Sequence, residues 1–245
     1  MTEPLFLAPL EAPVPGQVVT VSGEEGRHAA TVKRIRVGEV VLVSDGDGTA
    51  VRGPVLRVDK NALMVEVAAV LHSEARPVKY TAVQALPKGD RAEQAVEMLT
   101  ELGVDEIVPW QAERSVVRWA PDRVERGLTR WRATAREAAK QSRRFRVPTV
   151  SAPLTTADLV QRIARTDLTL ALHEAAAVTL GSLHPPATGE IMFIVGPEGG
   201  LSDGEVAAFT AAGARATLVS DGVLRTGTAG VVALAQLQAL AERER

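Results

Sequence analysis

Through residue 75 the apolar positions fall in short β-branched or alternating runs. VVTV (18–21), EVVLVSDG (39–46), AVRGPVLRV (50–58) and ALMVEVAAVL (62–71) each predict a strand. Turn signals separate them, notably Asp45-Gly46-Asp47-Gly48. Strands this short and evenly spaced predict a small barrel. One helix is expected over 26–36, GRHAATVKRIR, and HSEARP (72–77) reads as a linker.

From residue 78 strands alternate with helical patterns. VKYTAVQAL is a strand, and Asp90 with Glu93 reads as a capping box. The helix that follows places Ala92, Ala95, Val96, Leu99 and Leu102 on one face and stops at Gly103. DEIVPW is the next strand. Pro121 opens a helix to about Ser142, with Val124, Leu128, Trp131, Ala135 and Ala138 inward and most arginines outward. LTLALHE (168–174), IMFIVG (191–196) and ATLVS (216–220) read as fully buried strands. Ser202 with Glu205 forms a second capping box, for a helix ending near Gly213. Residues 228–243 form a terminal helix, apolar on most sides. The succession predicts an α/β domain with a mostly parallel sheet.

Composition narrows the chemistry. The 245 residues suffice for a real core. With no cysteine, disulfides, thiolate metal sites and cysteine nucleophiles are excluded. His28, His72, His173 and His184 are scattered without ligand spacing, so no metal is expected. The N-terminus lacks a signal-peptide pattern. The uncharged stretch near the C-terminus is too short and polar to span a bilayer. A soluble cytoplasmic protein with no membrane partner is expected.

The net charge of −2 conceals an uneven distribution. Residues 1–75 carry −3, residues 76–150 carry +5 and residues 151–245 carry −4. Within 110–146, 11 Lys/Arg face 4 Asp/Glu. Of all 28 basic residues 23 are Arg, whose planar fork suits phosphates. A polyanion partner is the favoured reading of that segment, a solvated helix face the plainer one.

Ligands of open α/β sheets bind beyond the carboxyl ends of strands. Three strands end there in candidate loops: Leu172-His173-Glu174; Gly196-Pro197-Glu198-Gly199-Gly200-Leu201-Ser202; and Asp221 through Thr228, containing Arg225. The second has neither the Lys-Ser/Thr of a P-loop nor the G-x-G-x-x-G of a dinucleotide site. It serves either ligand approach or a tight connection. Arg225, between a buried strand and an apolar helix, calls for an internal carboxylate or a bound anion. His173 on its own reads as a buried, satisfied histidine.

Together these segments resemble a known family. GPEGGLS after an apolar strand and VLRTGTA opening the last helix resemble the RsmE-type 16S rRNA (uracil-N3)-methyltransferases of the SPOUT superfamily. RHAATVKRIRVGE, LPKGDRAEQAVEMLTELGVDEIVPW with ERSVV, and REAAKQSRRFRVPTV extend the resemblance over about 25 to 230. Two positions depart from it: Gly227 stands where the family commonly has an acidic residue, and Met98 where it has a lysine.

The resemblance implies an N-terminal PUA-like β-barrel for RNA binding (1–74) and a C-terminal α/β domain with a trefoil knot (75–245). It implies S-adenosyl-L-methionine held by Leu172, His173, Glu174, Gly196, Pro197, Glu198, Gly199, Gly200, Leu218, Ser220, Val223, Leu224, Thr228 and Ala229. It also implies a homodimer through the knot domain, with the terminal helix in the interface, and 16S rRNA in the 30S subunit as target. On that reading Arg225 stabilises charge on the uracil, Glu198 is a candidate proton acceptor, and phosphates meet Arg27, Arg34, Arg36, Lys88, Arg114, Arg118, Arg143, Arg144 and Arg146. Two rivals are a SPOUT ribose 2′-O-methyltransferase and a non-catalytic rRNA-binding assembly factor. Methyl location and turnover separate them.

Overall fold

A computed structural model describes residues 3–74, 76–89 and 91–243. The chain divides into two compact units: Met1–Ala75 with Arg136–Val147, and Arg76–Ala135 with Pro148–Arg245. The linear reading put 136–147 wholly with the second unit. The structure places that arginine-rich segment with the first.

The first unit is built on a six-stranded sheet from β1 (Leu5–Leu7), β2 (Val18–Val21), β3 (Val40–Ser44), β4 (Thr49–Asp59), β5 (Ala62–Glu66) and β6 (Ala69–His72). Only the β1–β3 pair is parallel. Alternation along β5 buries Leu63 and Val65, which join Phe6, Val21, Val41, Val43, Val51 and Val55 in one core. β4 carries an irregularity at Val55/Arg57 that bends it, so its first half pairs with β3 and β6 and its second half with β5. Three expectations change here. β1 has no forecast. The run 62–71 is two strands: Val67 still follows the β2–β5 register, its amide donating to Gln17 O, but the Ala68 amide donates to Arg52 O and starts the pairing of β6 with the first half of β4. The helix over 26–36 is α1 (Gly23–Arg27) continued by a π-helical turn, His28–Val32. It ends where Arg34 takes a left-handed φ of 54°.

The second unit has a six-stranded, wholly parallel sheet, in the order β12-β10-β11-β7-β8-β9. Its strands are β7 (Val78–Ala85), β8 (Glu106–Trp110), β9 (Thr149–Val150), β10 (Leu168–Leu172), β11 (Gly189–Val195) and β12 (Arg215–Thr217). The helices are α2 (Arg91–Leu102), α3 (Val124–Gln141), α4 (Thr156–Ile163), α5 (Asp203–Ala211) and α6 (Thr226–Arg243). The last residues of α3 belong to the first unit. β8, β10 and the C-terminal half of β11 are buried throughout, as continuous apolar runs between covered faces require. α2 buries Ala92, Ala95, Val96 and Leu99 as expected, and α5 has its Ser202/Glu205 capping box. The expected cap Asp90 lies outside the described residues. β9 and α4 have no forecast, although α4 also carries a capping box, Thr155 with Asp158. β12 stops at Thr217 because Leu218 leaves the sheet: its amide donates to Val178 O, and its carbonyl accepts from the Leu180 amide.

β7 has β8 on one side and β11 on the other, so the strand order reverses at β7. The carboxyl ends of β7, β10, β11 and β12 lead into the loops that hold the candidate chemistry.

Candidate active site

The loops after β10 and β12 line an open cleft. It is lined by Leu172, His173, Glu174, Leu218, Ser220, Val223, Leu224 and Ala229, and by Val219 and Gly222 of the same third loop. Its walls are held from several sides. The His173 amide donates to Thr217 O, and His173 Nδ1 accepts from the Ala175 amide at 3.1 Å. His173 is therefore half-buried in a turn at the cleft, in contrast to a fully buried residue. Gln236 of α6 donates to Val219 O at 3.0 Å and fixes the third loop.

Gly196, Pro197, Glu198, Gly199, Gly200 and Thr228 are not among the lining residues. Gly200 has φ +71°, which closes the turn back on Pro197 O and brings the loop beside Glu174. At its start, Thr226 Oγ1 donates to Gly196 O at 2.7 Å and accepts from Gln84 Nε2 at 3.1 Å. The buried Gln84 Oε1 has no partner. At its end, Ser202 Oγ donates to Glu113 at 2.6 Å, and the Glu113 amide donates to Glu205 at 2.7 Å. Arg114 is also committed here: its Nη1 donates to Gly199 O at 3.2 Å and Leu201 O at 3.0 Å. A role for Arg114 in holding the loop explains these bonds without a phosphate.

Glu198 Oε1 accepts from the Lys88 amide at 3.0 Å and from Arg91 at 3.1 Å. Burial opposes its ionisation, but the Lys88 amide, its own backbone N–H and Arg91 prevail and hold the carboxyl below the usual range. A carboxylate so stabilised fastens the loop and is a weakened base. Arg225 is exposed, and its guanidinium has no ion-pair partner among the described residues. Its carbonyl accepts from the Thr228 and Ala229 amides, so it stands at the start of α6. The buried Gly227 follows, with Arg91 O 3.6 Å and Gln94 3.9 Å from where a β-carbon would sit.

The expected phosphate contacts divide between the units. Arg27, Arg34, Arg36, Arg143 and Arg146 are exposed on the first. Arg144 is half-buried there and already engaged in an interaction. Arg146 bonds Ser73 through Nε at 2.9 Å and packs on Gly48. Lys88 and Arg118 are exposed on the second. Among the described residues, no helix is long and apolar enough to cross a membrane, and no group of three or more His, Asp or Glu could hold a metal ion.

A parallel α/β unit with looped strand ends, preceded by a small β unit, is the build of an RNA methyltransferase. Residues 74–238 match the model of the RNA methyltransferase domain, and residues 21–68 that of the RNA methyltransferase PUA domain. The chain belongs to the family of ribosomal RNA small subunit methyltransferase E. The Mycobacterium tuberculosis member is 44% identical over 94% of this chain and 90% of its own length. The Bacillus subtilis member is 30% identical over 89% and 88%. The Neisseria gonorrhoeae enzyme of that name, solved bound to S-adenosyl methionine, is 30% identical with TM-score 0.86, covering 98% of both chains. A Legionella pneumophila protein solved with bound SAM is 31% identical with TM-score 0.87, also over 98% of both.

Proposed function

We propose that this chain methylates N3 of a uridine in 16S rRNA of the small ribosomal subunit, using S-adenosyl-L-methionine, in the cytoplasm and as a homodimer. The observation that carries this is the cleft formed by two of the expected loops, after β10 and β12, with Arg225, which has no ion-pair partner among the described residues, next to its lining residue Leu224.

The residues present fit the cofactor. Leu172, Leu218, Val219, Val223, Leu224 and Ala229 supply apolar walls for an adenine ring, and Glu174 with Ser220 supplies polar groups. When bound, S-adenosylmethionine supplies an electrophilic methyl group on a sulfonium. The protein's part begins with the other reactant. N3 of uracil carries a proton that must pass to a base in the solvent before the methyl arrives; negative charge develops on O2 and O4 as it leaves and is discharged as the new N3–carbon bond forms. Arg225 stabilises that charge as an oxyanion-hole donor does. Glu198, tied to Lys88 and Arg91, keeps the glycine loop in place. Orientation between the two reactants supplies much of the remainder.

Arg225→Ala should lower the methylation rate about 100- to 1000-fold while calorimetry shows unchanged cofactor affinity. An unchanged rate removes the assigned role. The reading as a whole is tested on 30S subunits from a strain lacking the gene. Mass spectrometry of digested rRNA should locate the restored methyl on a uracil base; a ribose methyl, or none, refutes it.

A further inference from the structure

Gln84 is a buried polar residue near the carboxyl end of β7, flanked by the buried Val83 and Ala85. Its amide nitrogen meets three acceptors: Thr226 Oγ1 and Ala85 O, each at 3.1 Å, and Thr226 O at 3.4 Å. The Thr226 hydroxyl gives its own proton to Gly196 O at 2.7 Å, so toward Gln84 it can only accept. The amide nitrogen is therefore the end that faces these oxygens, and Gln84 Oε1 is left buried without a hydrogen-bond partner. A buried unpaired acceptor is unfavourable, and an apolar side chain of the same length would avoid it. Stability alone does not explain an amide at this position. What the amide holds lies at the site. Thr226 follows Arg225 directly and is the first residue of α6, and Gly196 opens the glycine loop after β11. Arg225 O accepts from the Thr228 and Ala229 amides, at 2.9 Å each, which joins the arginine backbone to the first turn of α6. That turn lies close on β11: a β-carbon on Gly230 would stand 3.0 Å from Val195 and 3.4 Å from Phe193. Apolar contact of this kind sets how near the helix comes, but it is non-directional. The hydrogen-bonded chain from Gln84 through Thr226 to Gly196 supplies the direction.

We propose that Gln84 is a positioning residue for methyl transfer: through the Thr226 hydroxyl it fixes Arg225 relative to the glycine loop, and so holds the guanidinium where charge develops on the uracil. The inference rests on the proposed methylation and on the role given there to Arg225. Gln84 has no exposed surface and cannot touch RNA itself, so its effect on the rate passes through the residues it holds. Misplacing a group that meets the reacting atoms by about 1 Å costs on the order of 100-fold in rate. The same stretch of chain is fastened to the glycine loop a second time, since Glu198 accepts from the Lys88 amide and from Arg91. Those bonds hold the middle of the loop, whereas the Gln84 chain holds its first residue against the start of α6.

The test is a double-mutant cycle with the full chain on 30S subunits. Gln84→Met keeps the length of the side chain and removes the amide, and Thr226→Val keeps the shape of the threonine and removes the hydroxyl. Each should lower kcat about 10- to 100-fold, with KM for the subunit little changed. Thr226→Ser, which keeps the hydroxyl, should recover most of the rate that Thr226→Val loses. In an Arg225→Ala background, Gln84→Met should lower the rate less than about twofold further, because the side chain it acts through is already gone. Additive losses in that background, or a wild-type kcat in either Gln84→Met or Thr226→Val, overturns the assignment, while methylation of the uracil base by wild-type protein leaves the functional reading intact. Hydrogen exchange follows the same contact without any activity. The Thr228 and Ala229 amides should exchange faster in Gln84→Met and Thr226→Val than in wild type, with the amides of β8 still protected. Unchanged exchange at Thr228 and Ala229 overturns the assignment, and so does faster exchange throughout β8, which would make Gln84 a general structural residue. If wild-type protein leaves the uracil unmethylated, the methylation reading falls by itself, and the exchange result decides whether Gln84 holds Arg225.

Discussion

At the scale of single residues, one strongly held carboxylate among the described residues is not part of the cleft lining. Glu106 is buried on β8 and accepts from both Arg162 nitrogens (2.9 and 2.8 Å), Lys79 (2.6 Å) and Ser151 (2.6 Å). Burial works against its ionisation, yet Arg162, Lys79 and Ser151 together bring its pKa from 4.5 to about 2. Since the folded value lies below the unfolded one, this stabilisation is complete above pH 4.5 and is lost as pH falls toward 2. Glu106→Gln should therefore cost on the order of 3 kcal/mol at neutral pH. Urea denaturation at neutral and acid pH checks this, and the gap between variant and wild type should narrow on acidification. Nothing in the sequence singled out Glu106: its three partners come from β7, β9's exit and α4, and only folding makes them one cluster. Glu93 is a similar case. It was read as a capping residue, and its Oε1 pairs with Arg130 of α3.

At the scale of elements, α6 shows how far periodicity reaches. A helix apolar on most sides must be covered on most sides. One face is covered within the chain: Gly230, Ala233, Leu234 and Leu237 are buried, and α6 packs on α2 and β11. Val231, Val232 and Leu240 remain half-exposed. The proposed homodimer gives that face a partner. Wild-type protein should sediment as a dimer, and Leu240→Asp should shift it to a folded monomer with native-like circular dichroism. An unshifted species would place the interface elsewhere. The strand boundaries were less legible for a definite reason. A run of apolar residues states that a segment is buried, but the end of a strand depends on where the next amide finds its acceptor. Ala68 and Leu218 leave their expected ladders for distant carbonyls.

At the scale of the whole molecule, charge is redistributed by folding. The basic middle of the chain is shared out: 136–147 joins the first unit with Arg27, Arg34 and Arg36, while Arg114, exposed on the second, donates through Nη1 to the glycine loop. The exposed arginines of the first unit are the larger proposed RNA face. Its affinity for rRNA should fall steeply with salt, the slope reporting the number of phosphates met. Arg34→Ala combined with Arg36→Ala should reduce that slope in filter-binding titrations, and a salt-independent affinity would refute the assignment. Hydrophobic spacing, turn residues and caps were enough to establish a small β unit followed by a parallel α/β unit, because those signals act over one or two turns of chain. The glycine loop and Arg225 were visible as motifs, since ligand loops follow strand ends in order. The fold alone decided which of these residues line the cleft and which merely brace it, which arginines stay free, and that Gln84, Thr226 and Gly196 form one hydrogen-bonded chain. Each of those outcomes depends on contacts between segments distant in sequence, where local pattern carries no information and only packing brings the groups within bonding distance.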